Sequence, residues 1–170
     1  MTQTQEPARS RTFTWSDPAT NAAQVGRRSG LDMLRAMIAG ELAAPPVMHL
    51  IDMARMEADE GRVVVELMPQ EFHYNPLGTV HGGVLSTLLD TAAGCAVHTT
   101  LPAGLGYTSL DLNVKFLRPV TVDSGTLRCE GTVLQSGRRT ALAEARITDA
   151  NARLIAHATS TCLLFPLTAA

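Results

Sequence analysis

The stretch over residues 84–98 constrains the fold more than any other part of the chain. Its apolar residues fall on most sides of a helix, and nothing in it is basic before His98, so it predicts a helix in the core of a domain. The preceding residues, 73–83, contain Asn-Pro and Gly-Gly pairs that predict a tight loop. One carboxylate, Asp90, lies in the middle of the helix. Because burying a lone carboxylate costs free energy, we expect Asp90 to be neutral, paired or functional.

Strand patterns lie on both sides of this helix in the sequence. Residues 109–116 alternate between polar and apolar side chains with a period of two, and turns separate further runs of β-forming residues. Strands are predicted over residues 51–58, 62–68, 109–116, 126–135, 140–148 and 154–164. Hairpin-connected strands with one helix on a single face predict an α+β fold, in which an antiparallel sheet wraps around the long helix.

The composition of the chain excludes several classes of protein. Its 170 residues suffice for one domain with a real core, and a net charge of −2 gives no reason to expect binding to nucleic acid or to a membrane surface. No apolar run is long enough to span a bilayer, and no signal peptide is recognisable. Three cysteines without C-x-x-C spacing argue against disulfides or a metal site. We therefore expect a cytoplasmic protein without a metal.

The loop and the helix together carry a family pattern. It reads Asn-x-x-Gly-x-x-His-Gly-Gly, followed by an Asp nine positions after the His, and it is formed here by Asn75, Gly78, His81, Gly82, Gly83 and Asp90. The pattern resembles the hotdog-fold acyl-CoA thioesterases of the phenylacetyl-CoA thioesterase type. The resemblance covers residues 45–166 and includes the segment 109–119. It implies a hotdog fold, to which the sequence adds an N-terminal helix, together with an acyl-CoA substrate and no separate cofactor.

Thioester hydrolysis needs a group that stabilises the oxyanion and a group that delivers or activates a nucleophile. Backbone amides at the Gly82 start of the helix have no partner within the helix, and Gly82 and Gly83 let a substrate approach the backbone closely. Asn75 can donate from its side-chain amide, although an ordinary turn explains it nearly as well. Asp90 can attack the carbonyl itself or activate water. His81 is a general base by residue type, but next to a helix start it is better explained as ordering the loop.

Further residues are expected to contact the substrate. Thr87 lies on the same helical stripe as Asp90. The resemblance places a hydroxyl that positions the nucleophilic water at Ser109, with Thr108 as a substitute if the register shifts. The resemblance also places the coenzyme A phosphates near Arg138 and Arg139, which are otherwise the solvated tip of a hairpin.

The spacing between Gly82 and Asp90 bears on the oligomeric state. The two residues are eight positions apart, or about 12 Å along a helix. One helix can therefore hardly bring both groups to one carbonyl, whereas two antiparallel helices related by a two-fold axis can. The resemblance implies the same shared site. We expect a homodimer with two identical sites, and further association as a dimer of dimers.

Two other functions remain open from the sequence. A hotdog-fold enoyl-CoA hydratase or dehydratase would recruit His81 together with Asp90, and a non-catalytic acyl-CoA-binding module would need neither. The set formed by Asn75, Gly82 and Asp90 fits hydrolysis better. Assays of enoyl-CoA hydration and of free thiol release separate the first alternative, and tight binding without turnover identifies the second.

The N-terminal region has its own predicted organisation. Residues 1–28 are polar and predict a mostly disordered tail, and residues 29–44 carry a helix that Ser29 caps and a Pro-Pro pair ends. This helix either covers one end of the sheet or forms a lid over the acyl pocket, with Met33 and Met37 as its lining. The size of that pocket is expected to depend on Leu89, Ala93, Val97 and Phe116.

Overall fold

The structure, a computed structural model, describes residues 8–167. The elements in chain order are α1 (Pro18–Ala22), α2 (Gly30–Ile38), α3 (Pro46–Leu50), β1 (Met53–Asp59), β2 (Arg62–Leu67), α4 (Gly82–Thr99), β3 (Leu105–Ser109), β4 (Asn113–Phe116), β5 (Leu127–Ser136), β6 (Thr140–Thr148) and β7 (Leu154–Pro166). Two single turns of 3-10 helix, Glu71–His73 and Val122–Ser124, lie in the connections. No helix among residues 8–167 has the length and apolarity needed to cross a membrane.

Within these residues the seven strands form one antiparallel sheet around α4. The strand order is β1-β2-β5-β6-β7-β3, and β4 also pairs with β7. The helix α4 packs against β2, β5, β6 and β7, and its side chains Leu88, Leu89 and Ala92 are completely buried there. The predicted α+β arrangement of one sheet around one long apolar helix is confirmed.

A glycine lets the sheet approach the helix backbone directly. A Cβ atom at Gly131 in β5 would lie 2.2 Å from the carbonyl oxygen of Ala92, far inside any normal contact. Only glycine fits at such a close approach without displacing the helix. This contact sets the distance between α4 and the sheet at Ala92, which is two residues after Asp90 in the helix.

The strand predicted over residues 109–116 is divided in two. Ser109 pairs with Cys162 and Asn113 pairs with Thr159, so four steps along one strand oppose three along β7. The extra residue is a β-bulge, and it interrupts the regular alternation of side chains. The side chain of Leu110 is 59% exposed as a result. In an unbroken strand, the side chains of residues 109–116 would point alternately to the two faces of the sheet. The bulge ends β3 at Ser109.

The N-terminal helix is shorter than predicted. Ser29 caps it as expected, because the Ser29 hydroxyl oxygen accepts a hydrogen bond from the amide of Asp32. The helix ends at Ile38, ahead of the Pro-Pro pair, since Gly40 takes a positive φ of 76° that turns the chain. The Leu34 side chain is buried against the core, whereas the Ile38 side chain at the end of the helix is 46% exposed.

The segment before α2 differs from the disordered tail that its polar composition predicts. The short helix α1 is capped by the carboxylate of Asp17. The guanidinium of Arg11 donates to the carbonyl oxygens of His49 and Leu50, both at 2.7 Å, and lies 4.2 Å from the ring centroid of Phe72. These bonds satisfy carbonyl groups at the end of α3, which composition alone does not reveal. Residues 1–7 of the predicted tail lie outside the described residues.

Candidate functional site

The loop before α4 is held by a buried histidine. The Nδ1 atom of His73 accepts from the amide of Gln70 at 3.0 Å, and its Nε2 atom lies 3.0 Å from the carbonyl oxygen of Ile51. Burial lowers the pKa of His73, so the ring is neutral at pH 7 and Nε2 carries its proton toward Ile51. The carbonyl of His73 in turn accepts from the amide of His81. The two ends of the loop are therefore tied together at the start of α4.

Asn75 organises the tip of this loop and still has a hydrogen to donate. Its Oδ1 atom accepts from the amides of Leu77 at 2.8 Å and of Thr79 at 3.4 Å, which forms a turn. Its Nδ2 atom donates one hydrogen to the hydroxyl of Thr79 at 3.1 Å. A side-chain amide carries two N–H donors, so the second remains available. The turn and the donor role, which were alternatives from the sequence, are compatible.

The first turn of α4 exposes one backbone amide. His81 is the N-cap, and its Nδ1 atom accepts from the amide of Gly83 at 2.8 Å. The amide of Gly82 has no hydrogen-bond acceptor within residues 8–167. It also lies where the helix dipole favours negative charge. The Gly82 amide is therefore available as a hydrogen-bond donor, while the Gly83 amide is occupied and His81 acts as a helix cap.

Asn75 and Gly82 share one cleft, which we call the oxyanion cleft. Its wall includes the ring of Phe116, and a Cβ atom at position 82 would lie 3.1 Å from that ring. The other lining residues are Thr79, Val80, Leu85, Leu117, Arg118, Pro119 and Val120. Among the residues that the structure describes, none with a carboxylate lines this cleft. It can hold a carbonyl oxygen, but it supplies no nucleophile or base.

Asp90 lies in a second hollow, the carboxylate hollow, on the exposed side of α4. The hydroxyl of Ser109 donates to its Oδ1 atom at 3.0 Å, and Oδ2 has no hydrogen-bond partner among the described residues. Ser86, Thr87, Leu110, Asp111 and Leu112 complete the hollow. Asp90 is thus solvent-exposed in the single chain, and a neighbouring serine orients it with one oxygen free.

Thr108 does not belong to the carboxylate hollow. Successive residues of a strand point to opposite faces, so Thr108 points away from the face that brings Ser109 to Asp90. The register that would have let Thr108 replace Ser109 does not occur, because Ser109 pairs with Cys162 at the end of β3. Thr87 does line the hollow, and its hydroxyl donates to the carbonyl oxygen of Gly83.

Arg138 and Arg139 form the exposed turn between β5 and β6. Ser109 pairs with Cys162, and Cys162 pairs with Ala141, so the turn lies two strands from Ser109. Two strand spacings are about 10 Å. The turn therefore lies on the same sheet as Ser109, and the two arginines do not line the carboxylate hollow.

The structure corrects the residues expected to set the pocket size. Leu89, Ala93 and Val97 are completely buried beneath the sheet and face away from the carboxylate hollow. Phe116 lines the oxyanion cleft instead. Among residues 8–167 no group of three or more His, Cys, Asp or Glu side chains is placed to hold a metal ion.

The chain is similar to known proteins over the region that holds these residues. The family model of the thioesterase superfamily matches residues 77–156, which contain Gly82, Asp90 and Ser109. Human acyl-coenzyme A thioesterase 13 is 30% identical over 103 residues, covering 60% of this chain and 72% of that protein. The chain belongs to the thioesterase superfamily.

Two further matches define how far the likeness to known thioesterases extends. A solved structure of a phenylacetic acid degradation-related protein from Ralstonia eutropha is 29% identical, with a TM-score of 0.69, and the match covers 76% of this chain and 97% of that one. A Halobacterium salinarum protein named as an esterase is 41% identical over 69 residues. That match covers 39% of this chain and 44% of the relative. The thioesterase fold thus extends over most of the chain, and the chain is a thioester hydrolase.

Proposed function

We propose that this thioesterase hydrolyses acyl-CoA thioesters to a free acid and coenzyme A, at two sites that are each shared between the subunits of a homodimer. One observation carries the proposal. The donors Asn75 and Gly82 lie in a cleft without a carboxylate, and Asp90 lies in a separate hollow of the same chain. Hydrolysis needs both sets on one carbonyl, so the missing half of each site must come from a second copy.

A two-fold axis can bring the two halves together. Ser86 is midway between Gly82 and Asp90 on α4. A two-fold axis passing near Ser86 therefore places Gly82 of one helix opposite Asp90 of the partner helix, and the reverse. The strand edge beside α4 supports this arrangement. β3 and β4 pair only with β7 among the described strands, and Leu110 and Phe116 are more than half exposed along that edge. Apolar side chains along an open strand edge favour association with a second copy.

The reaction then follows from the positions of these groups. The thioester carbonyl oxygen accepts hydrogen bonds from the Gly82 amide and the Asn75 side chain, which stabilise the oxyanion as it forms. Asp90 of the partner subunit, oriented by its serine, either attacks the carbonyl carbon or takes a proton from a water that attacks it. Collapse of the tetrahedral intermediate breaks the carbon–sulfur bond and releases the coenzyme A thiolate. If Asp90 takes the proton of the attacking water, that proton passes to the thiolate and the free acid is formed directly. If Asp90 attacks, the thiolate takes a proton from water, and a second water then hydrolyses the acyl–Asp90 anhydride to the free acid and the carboxylate.

The hydratase alternative is disfavoured by the position of His81. Its Nδ1 atom is bonded to the Gly83 amide, and its ring lines neither the cleft nor the hollow that holds Asp90. The His81 ring thus lies outside the cleft that would hold the substrate carbonyl, so it is not placed to act there together with Asp90 of either chain. A binding module without catalysis would not need a carboxylate with one oxygen oriented by serine and the other free.

A panel of aliphatic and aromatic acyl-CoA substrates tests the proposed activity. We expect the protein to release free thiol from at least one of them, detected with a thiol-reactive dye, while enoyl-CoA absorbance stays unchanged. Loss of the enoyl signal without thiol release would identify a hydratase. Tight binding of acyl-CoA without either signal would identify a binding module.

Coenzyme A recognition is proposed for Arg138 and Arg139. Replacing both with Ala should raise KM about tenfold at low salt and leave kcat nearly unchanged, because the phosphates are remote from the bond that breaks. The effect should shrink as salt is added. The matched control is the double variant Arg35→Ala with Arg55→Ala, which removes the same charge beside β1, at the edge of the sheet opposite to β3 and Ser109. An equal rise in KM in both double variants would exclude a specific contact.

We infer a cytoplasmic location from the thiols. Cys95, Cys129 and Cys162 are all free, and burial raises the pKa of the Cys95 thiol to about 12. Free thiols without disulfides are typical of a reducing compartment.

A further inference from the structure

The seam between α4 and β3, which we call the furrow, runs from Asp90 toward the C-terminal end of the helix. Asp90, Gly94 and His98 follow one another at four-residue spacing and therefore share one face of α4. β3 runs beside this face, with Ser109 bonded to Asp90 and Tyr107 opposite Gly94. The polar residues Ser86 and Thr87 lie on the other side of Asp90. The apolar part of a substrate bound at Asp90 is therefore expected to lie toward Gly94.

Tyr107 blocks this furrow. A Cβ atom at Gly94 would lie 2.9 Å from Cε2 and 3.0 Å from the hydroxyl oxygen of Tyr107, so the ring fills the notch that the glycine leaves. The Tyr107 and His98 rings are 5.4 Å apart at their centroids. Tyr107 and Ser109 are two positions apart, which corresponds to about 7 Å along a strand. Tyr107 therefore lies between Ser109, which is bonded to Asp90, and the part of the furrow beyond Gly94.

An apolar cavity of about 390 Å³ lies behind Tyr107. Its walls come from the N-terminal helices, from α4 and from the end of β7, and they include Val25, Met33, Met37, Cys95, Phe165 and Leu167. The volume falls in the range of about 300–1,000 Å³ that is usual for ligand pockets. The N-terminal segment thus closes a pocket at the far end of the furrow.

The titratable groups of this cavity are neutral. Burial lowers the pKa of His98 and raises the pKa values of Cys95 and Tyr107, so none of the three is charged at pH 7. A thiol in that state is a poor nucleophile. The cavity therefore suits a hydrocarbon chain and offers neither a charge partner nor a second reactive group.

We propose that Tyr107 is the residue that sets acyl-chain length, by separating the furrow at Asp90 from the apolar cavity beneath the N-terminal helices. The protein as it stands takes short acyl groups that end at the Tyr107 ring. A smaller side chain at this position joins furrow and cavity and admits the tail of a longer chain. The inference rests on the proposed acyl-CoA activity, and it assigns the cavity to the same substrate.

The ratio of kcat/KM for dodecanoyl-CoA to that for butyryl-CoA tests the proposal. In Tyr107→Leu this ratio should rise about tenfold or more, because each methylene that enters an apolar pocket adds to the selectivity. Tyr107→Phe keeps the ring and should keep the wild-type ratio. Adding Met33→Trp to Tyr107→Leu refills the cavity and should return the ratio toward wild type. If thermal unfolding shows that Tyr107→Leu is not folded, Tyr107→Met, whose unbranched side chain adapts more easily to its surroundings, replaces it.

Binding of a fluorescent long-chain fatty acid separates this proposal from the proposed reaction. Tyr107→Leu should bind the probe at least tenfold more tightly than wild type, whether or not either protein cleaves a thioester. Absence of thiol release from every acyl-CoA, with this gain in probe binding, would refute the reaction and keep the cavity as a ligand site. An unchanged chain-length ratio in the folded variant, or equal probe binding by both proteins, would overturn the role of Tyr107.

Discussion

Replacing Asp90 with Asn should lower kcat by about a thousandfold or more, because the amide can neither attack the thioester nor take a proton from water. The substitution keeps the shape of the side chain and an oxygen that accepts from Ser109. The Asp90 side chain is exposed on α4, so the melting temperature should hardly change. Steady-state thiol release and thermal unfolding measure the two quantities.

Asp111→Asn is the matched control for this prediction. Asp111 lines the same hollow, and its Oδ1 atom accepts from the amide of Thr161 at 3.1 Å, a bond that Asn preserves. Its kcat should stay within a few-fold of wild type. Ser109→Ala should fall between the two, because it removes the bond that orients Asp90 but leaves the carboxylate. Equal losses in Asp90→Asn and Asp111→Asn would mean that the hollow needs negative charge in general and not a particular carboxylate.

Replacing Asn75 with Ala should lower kcat by about a hundredfold, the usual effect of losing one oxyanion donor. The change also removes the turn that Asn75 forms with Leu77 and Thr79, so a second variant is needed. Asn75→Asp keeps the acceptor for those amides, removes the donor and adds a negative charge beside the oxyanion. Its kcat should fall at least as far as in Asn75→Ala, while its melting temperature stays nearer to wild type. A normal kcat in Asn75→Asp would assign Asn75 to the turn alone.

The sequence predicts α4 and the residues around it because their signals are local. The loop residues, the helix start and Asp90 lie within one short segment, and glycine, proline and helix-cap chemistry act between near neighbours. The sheet is predicted for a similar reason, since each hairpin turn lies between two alternating runs. The cap by His81 and the turn by Asn75 are visible in the structure at the positions where the sequence places the catalytic loop.

The parts that the sequence does not predict depend on contacts between distant segments. The bulge after Ser109 depends on pairing with β7, about fifty residues later in the chain. The residues that border the pocket are not evident from the sequence because α4 is apolar on most sides. The apolar pattern therefore does not show which side of α4 faces the sheet and which faces the furrow. The role proposed for Tyr107 depends on the contact of its ring with Gly94, which the sequence does not reveal. The contacts of Arg11 depend on carbonyl groups that composition does not show.

The most direct test of the shared site is to mix two inactive variants, Asp90→Asn and Asn75→Ala. A mixed dimer holds one site with both defects and one site with neither, whereas each parent dimer has only damaged sites. Random exchange makes about half of the dimers mixed, each with one intact site, so we expect about a quarter of wild-type activity to return. Native mass spectrometry follows the exchange. If mixed dimers form and activity stays at the level of the parent variants, Asn75 and Asp90 act within one chain and the account of a shared site is wrong.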